Sequence, residues 1–104
     1  MNEEIINVSM ELIATSGNAK SLALSAINIA KNGNIKEALK MILEAKVELN
    51  KVHNIHGDLI AKEASGKKLD ISLLFIHSQD HLTSAIIIID LAEHFIDLYN
   101  KLNF

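Results

Sequence analysis

A chain of 104 residues is too short to build a second hydrophobic core, so residues 1–104 are expected to form one domain. Hydrophobic residues make up 49% of it but aromatics only 4%, and proline is absent, which favours packed helices of Ala, Ile, Leu, Val and Met. The lack of cysteine excludes disulfides, thiol catalysis and thiolate zinc sites, and a net charge of −3 with ten lysines and no arginine argues against nucleic-acid binding.

In chain order, the segment Met1 to Glu4 is acidic and lacks the basic start of a secretory signal, so a soluble, cytoplasmic protein is expected. A helical pattern then extends over residues 2–31, with Gly17-Asn18 as a candidate kink. Asn32-Gly33-Asn34 stops it. Gly33 suits a left-handed helix end, Asn34 an N-cap, and Glu37 the position three residues on. The second helix is expected over 34–64, with Ile35, Leu39, Ile42, Leu49, Val52 and Ile60 as its apolar stripe. On its opposite side lie Glu37, Lys40, Glu44, Lys51, Asp58 and Lys62. Ser65-Gly66 closes it, and Asp70 can cap a third helix over 70–102. The short turns predict an all-α, antiparallel three-helix bundle with up-down-up order.

The third helix differs from the second. Asp90, Glu93, His94 and Asp97 form only a narrow polar stripe, and Ile86 to Ile89 is apolar around more than half the circumference. Such a helix has two faces to bury. A three-helix chain covers one, so the surplus predicts a homo-oligomer with its third helices near the symmetry axis. The longest apolar run, Ala85 to Ile89, is far short of the ~20 residues that a bilayer-spanning helix needs, so no membrane insertion is expected.

His77, Asp80, His81 and Ser84 are spaced i, i+3, i+4 and i+7 and share one face of that helix, away from its solvated stripe. The face continues into Ile88, Leu91, Phe95 and Leu102. Burying two imidazoles and a carboxylate is costly unless they are paired, hydrogen-bonded or bound to an ion, and such clusters are enriched at functional sites. A hairpin turning near residue 67 also sets His53 and His56 opposite this stretch, so four of the five histidines are expected to converge. Read from the residues, this cluster fits a functional site, a metal site held by His53, His56, His77 and His81 being one form of it, or a structural network inside an oligomer.

Ile76-His77-Ser78-Gln79-Asp80-His81-Leu82 resembles the His-x-Gln-Asp-His-Leu signature of the lactose/cellobiose-type enzyme IIA family of sugar phosphotransferase systems. Glu63-Ala64-Ser65-Gly66, Ser16-Gly17-Asn18-Ala19-Lys20 and Lys31-Asn32-Gly33-Asn34 extend the likeness over most of the chain. The resemblance implies a homotrimer of three-helix subunits, a phosphotransferase component whose His77 is phosphorylated by the histidine-containing phosphocarrier protein. It further implies that the phosphoryl group passes to a cysteine of enzyme IIB. Gln79 and His81 become supporting polar groups. Asp80 becomes the carboxylate at the trimer centre, holding a divalent cation, with Mg²⁺ the expected ion. His53 matches a family histidine near the site, whereas His56 and Thr83 stand where the family more often has Gln and Met. A histidine phosphotransfer domain of a signalling relay is the competing helical phosphocarrier.

Overall fold

The computed structural model of the chain describes residues 3–102. Three long helices make up the fold: α1 (Glu3–Lys31), α2 (Ile35–Ala64) and α3 (Leu73–Leu102). They pack into a rod of 55 × 21 × 17 Å. The expected start of the first helix at Asn2 lies outside the described residues. α1 runs without a break through Gly17-Asn18, so the helix continues across the candidate kink.

Both turns follow from local chemistry. At the end of α1, Gly33 N–H donates to Ala30 O and Asn34 N–H to Ile29 O, and φ of Gly33 is 97°. At the end of α2, Gly66 N–H donates to Glu63 O and Lys67 N–H to Lys62 O, with φ of Gly66 at 100°. Each is a Schellman ending, satisfying the last carbonyls with a residue in the left-handed region that glycine enters without steric penalty. Asn34 then caps α2 by accepting from Glu37 N–H at 3.2 Å. α3, however, begins three residues after Asp70. Its cap is Ser72, whose Oγ accepts from Phe75 N–H at 3.2 Å. The reason lies in packing, because Leu69 folds against the end of the core and keeps the preceding chain out of the helix.

Three layers of core fix the register. Ile5, Leu59 and Phe75 close one end; Leu12, Val52 and Leu82 form the middle; and Ala19, Ala23, Ala26, Ala30, Ala38, Ile42, Ala45, Ile89, Ala92 and Ile96 fill the remainder. Each layer draws on all three helices, so α1 and α3 rise together and α2 returns between their ends. The buried face of α2 is Ala38, Ile42, Ala45, Val52 and Leu59, and it departs from the expected stripe. Leu39 and Ile60 are 51% and 55% exposed. Alanines decide this face: α1 lines the contact with small side chains, so helices approach closely and small residues of α2 fill the gap.

α3 buries Phe75, Ser78, Leu82, Ala85, Ile89, Ala92 and Ile96. Its opposite side leaves Leu73, Ile76, Ile87, Leu91, Phe95, Leu98 and Leu102 in solvent. The two apolar faces expected of this helix are therefore both present, one covered within the chain and one not. No helix among the described residues is long and apolar enough to cross a membrane.

Candidate functional site

Phe75 and Ser78 point into the bundle, which rotates the intervening His77 outward one turn after the start of α3. His77 and Asp80 are exposed, and His81 and Ser84 are half-buried. Within a single chain the His77–Asp80–His81–Ser84 stripe is thus open to solvent at its centre, where burial was expected. The side chain of Asp80 shares its surface with the uncovered Leu73, Ile76 and Leu91, of which Leu73 is 83% exposed.

The two imidazoles meet. His81 Nε2 lies 3.1 Å from His77 Nε2, and the rings stand edge to face, with centroids 4.5 Å apart and planes at 87°. Only one of these nitrogens can carry the shared proton. His81 Nδ1 is buried with no hydrogen-bond partner among the described residues. An orphaned buried N–H is rarer than an under-satisfied acceptor, so the proton of neutral His81 belongs on Nε2. His81 Nε2–H then donates to His77 Nε2. The His77 nitrogen facing the surface pair consequently holds a lone pair.

Burial lowers the pKa of His81 below the ordinary imidazole value of 6.5, and the neighbouring His77 and the Lys20 ammonium lower it further, while Asp80 opposes them. His81 therefore stays neutral, the state needed of a single-proton donor to His77. A neutral imidazole beside an open surface can attack phosphorus without a strong base.

The other candidates lie elsewhere. Gln79 and His56 line a groove between α2 and α3 with Leu59, Glu63 and Phe75, and Gln79 Nε2 is buried there without a partner among the described residues. His53 lines a second α2–α3 groove with Ile86, Ile89 and Asp90. The register behind the expected convergence is correct, since Val52 shares a layer with Leu82 and Leu59 with Phe75. The faces are not: His53 and His56 border α2–α3 grooves, whereas His77 meets His81 on the exposed side of α3. Within one chain Gln79 is likewise separated from His77. Among the described residues no three His, Asp or Glu side chains are grouped to hold a metal ion, so the four-histidine metal site is not assembled. Sequence reasoning assigned no role to Lys20, the one charge from outside α3 that acts on His81.

Comparison with known proteins places this geometry in context. Residues 7–100 match the family described as "PTS system, Lactose/Cellobiose specific IIA subunit". The lichenan-specific phosphotransferase enzyme IIA component of Bacillus subtilis is 41% identical over 102 residues, covering 98% of this chain and 93% of that protein. The PTS cellobiose-specific enzyme IIA from Bacillus anthracis superposes with a TM-score of 0.93 at 44% identity, covering 98% of this chain and 94% of that one. The IIA(Chitobiose) structure solved in complex with HPr from the Escherichia coli phosphotransferase system superposes with a TM-score of 0.80 at 33% identity, covering 99% and 100%.

Proposed function

Because the chain belongs to the lactose/cellobiose-specific IIA subunits of the sugar phosphotransferase system, and is thus a phosphotransferase component, we propose that His77 is its phosphoryl acceptor. The observation that carries the assignment is the Nε2-to-Nε2 contact of His77 and His81 on an open surface within a chain of this family. The donor is the histidine-containing phosphocarrier protein, a reading supported by the HPr complex of the chitobiose relative. In the first transfer the N–P bond of the donor phosphohistidine breaks as a bond forms from His77 Nε2 to phosphorus. The donor imidazole leaves with its lone pair, and no net proton moves. His81 Nε2–H, displaced from the His77 lone pair, turns to a phosphoryl oxygen. In the second, a cysteine thiolate of enzyme IIB takes the phosphoryl group as the N–P bond breaks. Such a carrier works in the cytoplasm, where both partners meet it.

The uncovered α3 face supports a homotrimer with those helices around the axis. Three Asp80 carboxylates would then meet, and their oxygens form a hard donor set suited to a divalent cation, Mg²⁺ foremost. Since one chain groups no three ligands among its described residues, any such site is completed only by three copies. Gln79, His53 and His56 remain supporting groups that act, if on His77, from a neighbouring subunit.

The test is incubation with phosphoenolpyruvate, enzyme I and the phosphocarrier, followed by mapping of an acid-labile phosphate. Wild type takes it on His77; His77→Ala takes none while its helical content is retained; His81→Ala takes it more slowly. Phosphate mapped to His81 or His53 would overturn the residue assignment.

A further inference from the structure

His56 is half-buried in the groove between α2 and α3 that it lines with Gln79, Leu59, Glu63 and Phe75. The core layers give its height along the rod. Val52 shares a layer with Leu82, and Leu59 with Phe75, so His56, lying between Val52 and Leu59, is level with Ser78. His77 and Gln79 are each one residue from Ser78, about 1.5 Å along the helix axis.

Height agrees, but within one chain the sides do not. Ser78 points into the core, and at about 100° per residue His77 stands to one side of it and Gln79 to the other. The uncovered strip with Ile76 and Asp80 lies between these two flanks, on the far side of α3. A ring of three closed around that strip has heterologous contacts, so each subunit sets one flank against the opposite flank of the next. Rotation about an axis along α3 leaves every height unchanged. The His77 flank of one subunit therefore faces the Gln79 flank of its neighbour at the level where His56 stands. Two features of the groove fit an occupant from outside the chain. Gln79 Nε2 is a buried donor with no partner among the described residues. Ile60 and Ile71 on the groove's rim are 55% and 61% exposed, apolar surface that extends the strip of Leu73 and Ile76 over the groove.

We infer that His56 is a phosphoryl-binding residue that acts across the subunit boundary, its imidazole donating a hydrogen bond to the phosphoryl group carried by His77 of the next subunit. This rests on the proposed function and its trimer, and it adds to that site a side chain from α2 of another copy. The phosphoryl group presents three acceptor oxygens, and neutral His81 has a single N–H to offer them. A ring N–H of His56 supplies a second charge-assisted hydrogen bond, which stabilises the phosphorylated state relative to the free one. His53 stands in the separate groove with Ile86 and Asp90 and takes no part.

The test combines the equilibrium constant for phosphoryl exchange with the phosphocarrier and trimers of mixed composition. That constant depends only on the free and phosphorylated forms of the two proteins and not on how well they dock. His56→Ala is expected to lower it roughly three- to tenfold, the range of a charge-assisted hydrogen bond discounted for partial exposure, and His56→Gln, which keeps an N–H donor, retains most of the wild-type value. His56→Ala subunits are then refolded with an about tenfold excess of His77→Ala subunits, so that nearly every competent His77 has neighbours with an intact His56. The wild-type constant is expected to return. An excess of the His77→Ala/His56→Ala double variant is expected to leave it low, with circular dichroism and sedimentation showing that helices and trimers persist. A His56→Ala constant equal to wild type overturns the role of His56 and leaves the proposed function standing. A lowered constant that His77→Ala subunits do not restore overturns action across the boundary. A wild type that sediments as a monomer, or takes no phosphate on His77, overturns the reading on which the inference rests.

Discussion

At His81 the site couples acceptance of phosphate to pH through stability as well as chemistry. Burial, His77 and Lys20 hold its pKa below 6.5, whereas the unfolded chain takes up a proton near that value. Below 6.5 the unfolded state therefore binds more protons than the folded state, so the stability contributed by neutral His81 is full above 6.5 and is lost as pH falls through its lower folded value. Urea unfolding at fixed protein concentration should show wild-type stability falling below pH 6.5 more steeply than that of His81→Gln. Equal slopes would show that His81 is not held neutral. The sequence pointed to His77, Asp80 and His81 because helical spacing fixes which side chains share a face. It placed Lys20 in the Ser16–Lys20 motif but gave it no role, because helical spacing does not reveal neighbours on another helix. The same gap misplaced His53 and His56: counting back from a turn gives the level of a residue on the next helix, but not the side of the helix on which it stands.

Among the elements, α1 and α2 end where the sequence says they should, because Gly33 and Gly66 occupy positive φ and Asn34 presents its oxygen to Glu37. The start of α3 was less readable. Asp70 and Ser72 are both competent caps, and the choice between them falls to Leu69, whose packing against Ile5, Leu59 and Phe75 is a tertiary effect. Ser72→Ala should therefore cost about 1 kcal/mol, the usual value of an N-cap, with an unchanged dependence on denaturant. A cost near zero would return the cap to Asp70. The α2 stripe was misread for a related reason. Leu39 and Ile60 outweigh Ala38 and Ala45 by hydrophobicity, yet the alanines occupy the contact because the small residues of α1 bring the helices too close for larger ones.

For the whole molecule, the uncovered face of α3 is the surface on which the proposed trimer rests. Leu73, Ile76, Ile87, Leu91, Phe95, Leu98 and Leu102 lie along one side of a 55 Å rod, a longer apolar strip than a soluble monomer usually leaves open. A trimer is expected by light scattering at micromolar concentration, and Leu91→Glu should dissociate it by forcing charge into the shared face. Chelator should weaken the wild-type trimer, whereas Asp80→Leu should stay trimeric in chelator, since an apolar residue of similar volume removes both the repulsion and the need for an ion. A wild type indifferent to chelator together with a dissociating Asp80→Leu variant would sink the shared cation site.

Three helices is an odd number, so residues 3 and 102 stand at opposite ends of the rod. His77 lies near the end marked by Ile5 and Phe75, and Leu102 is 25 residues further along α3, about 37 Å away at the helical rise. A fluorophore or fused protein attached beyond Leu102 is thereby held clear of incoming carriers. The same cargo placed ahead of Glu3 sits at the end where they approach. Attachment through the far end is the arrangement for following docking in real time, or for fixing the protein to a surface with its histidines facing outward.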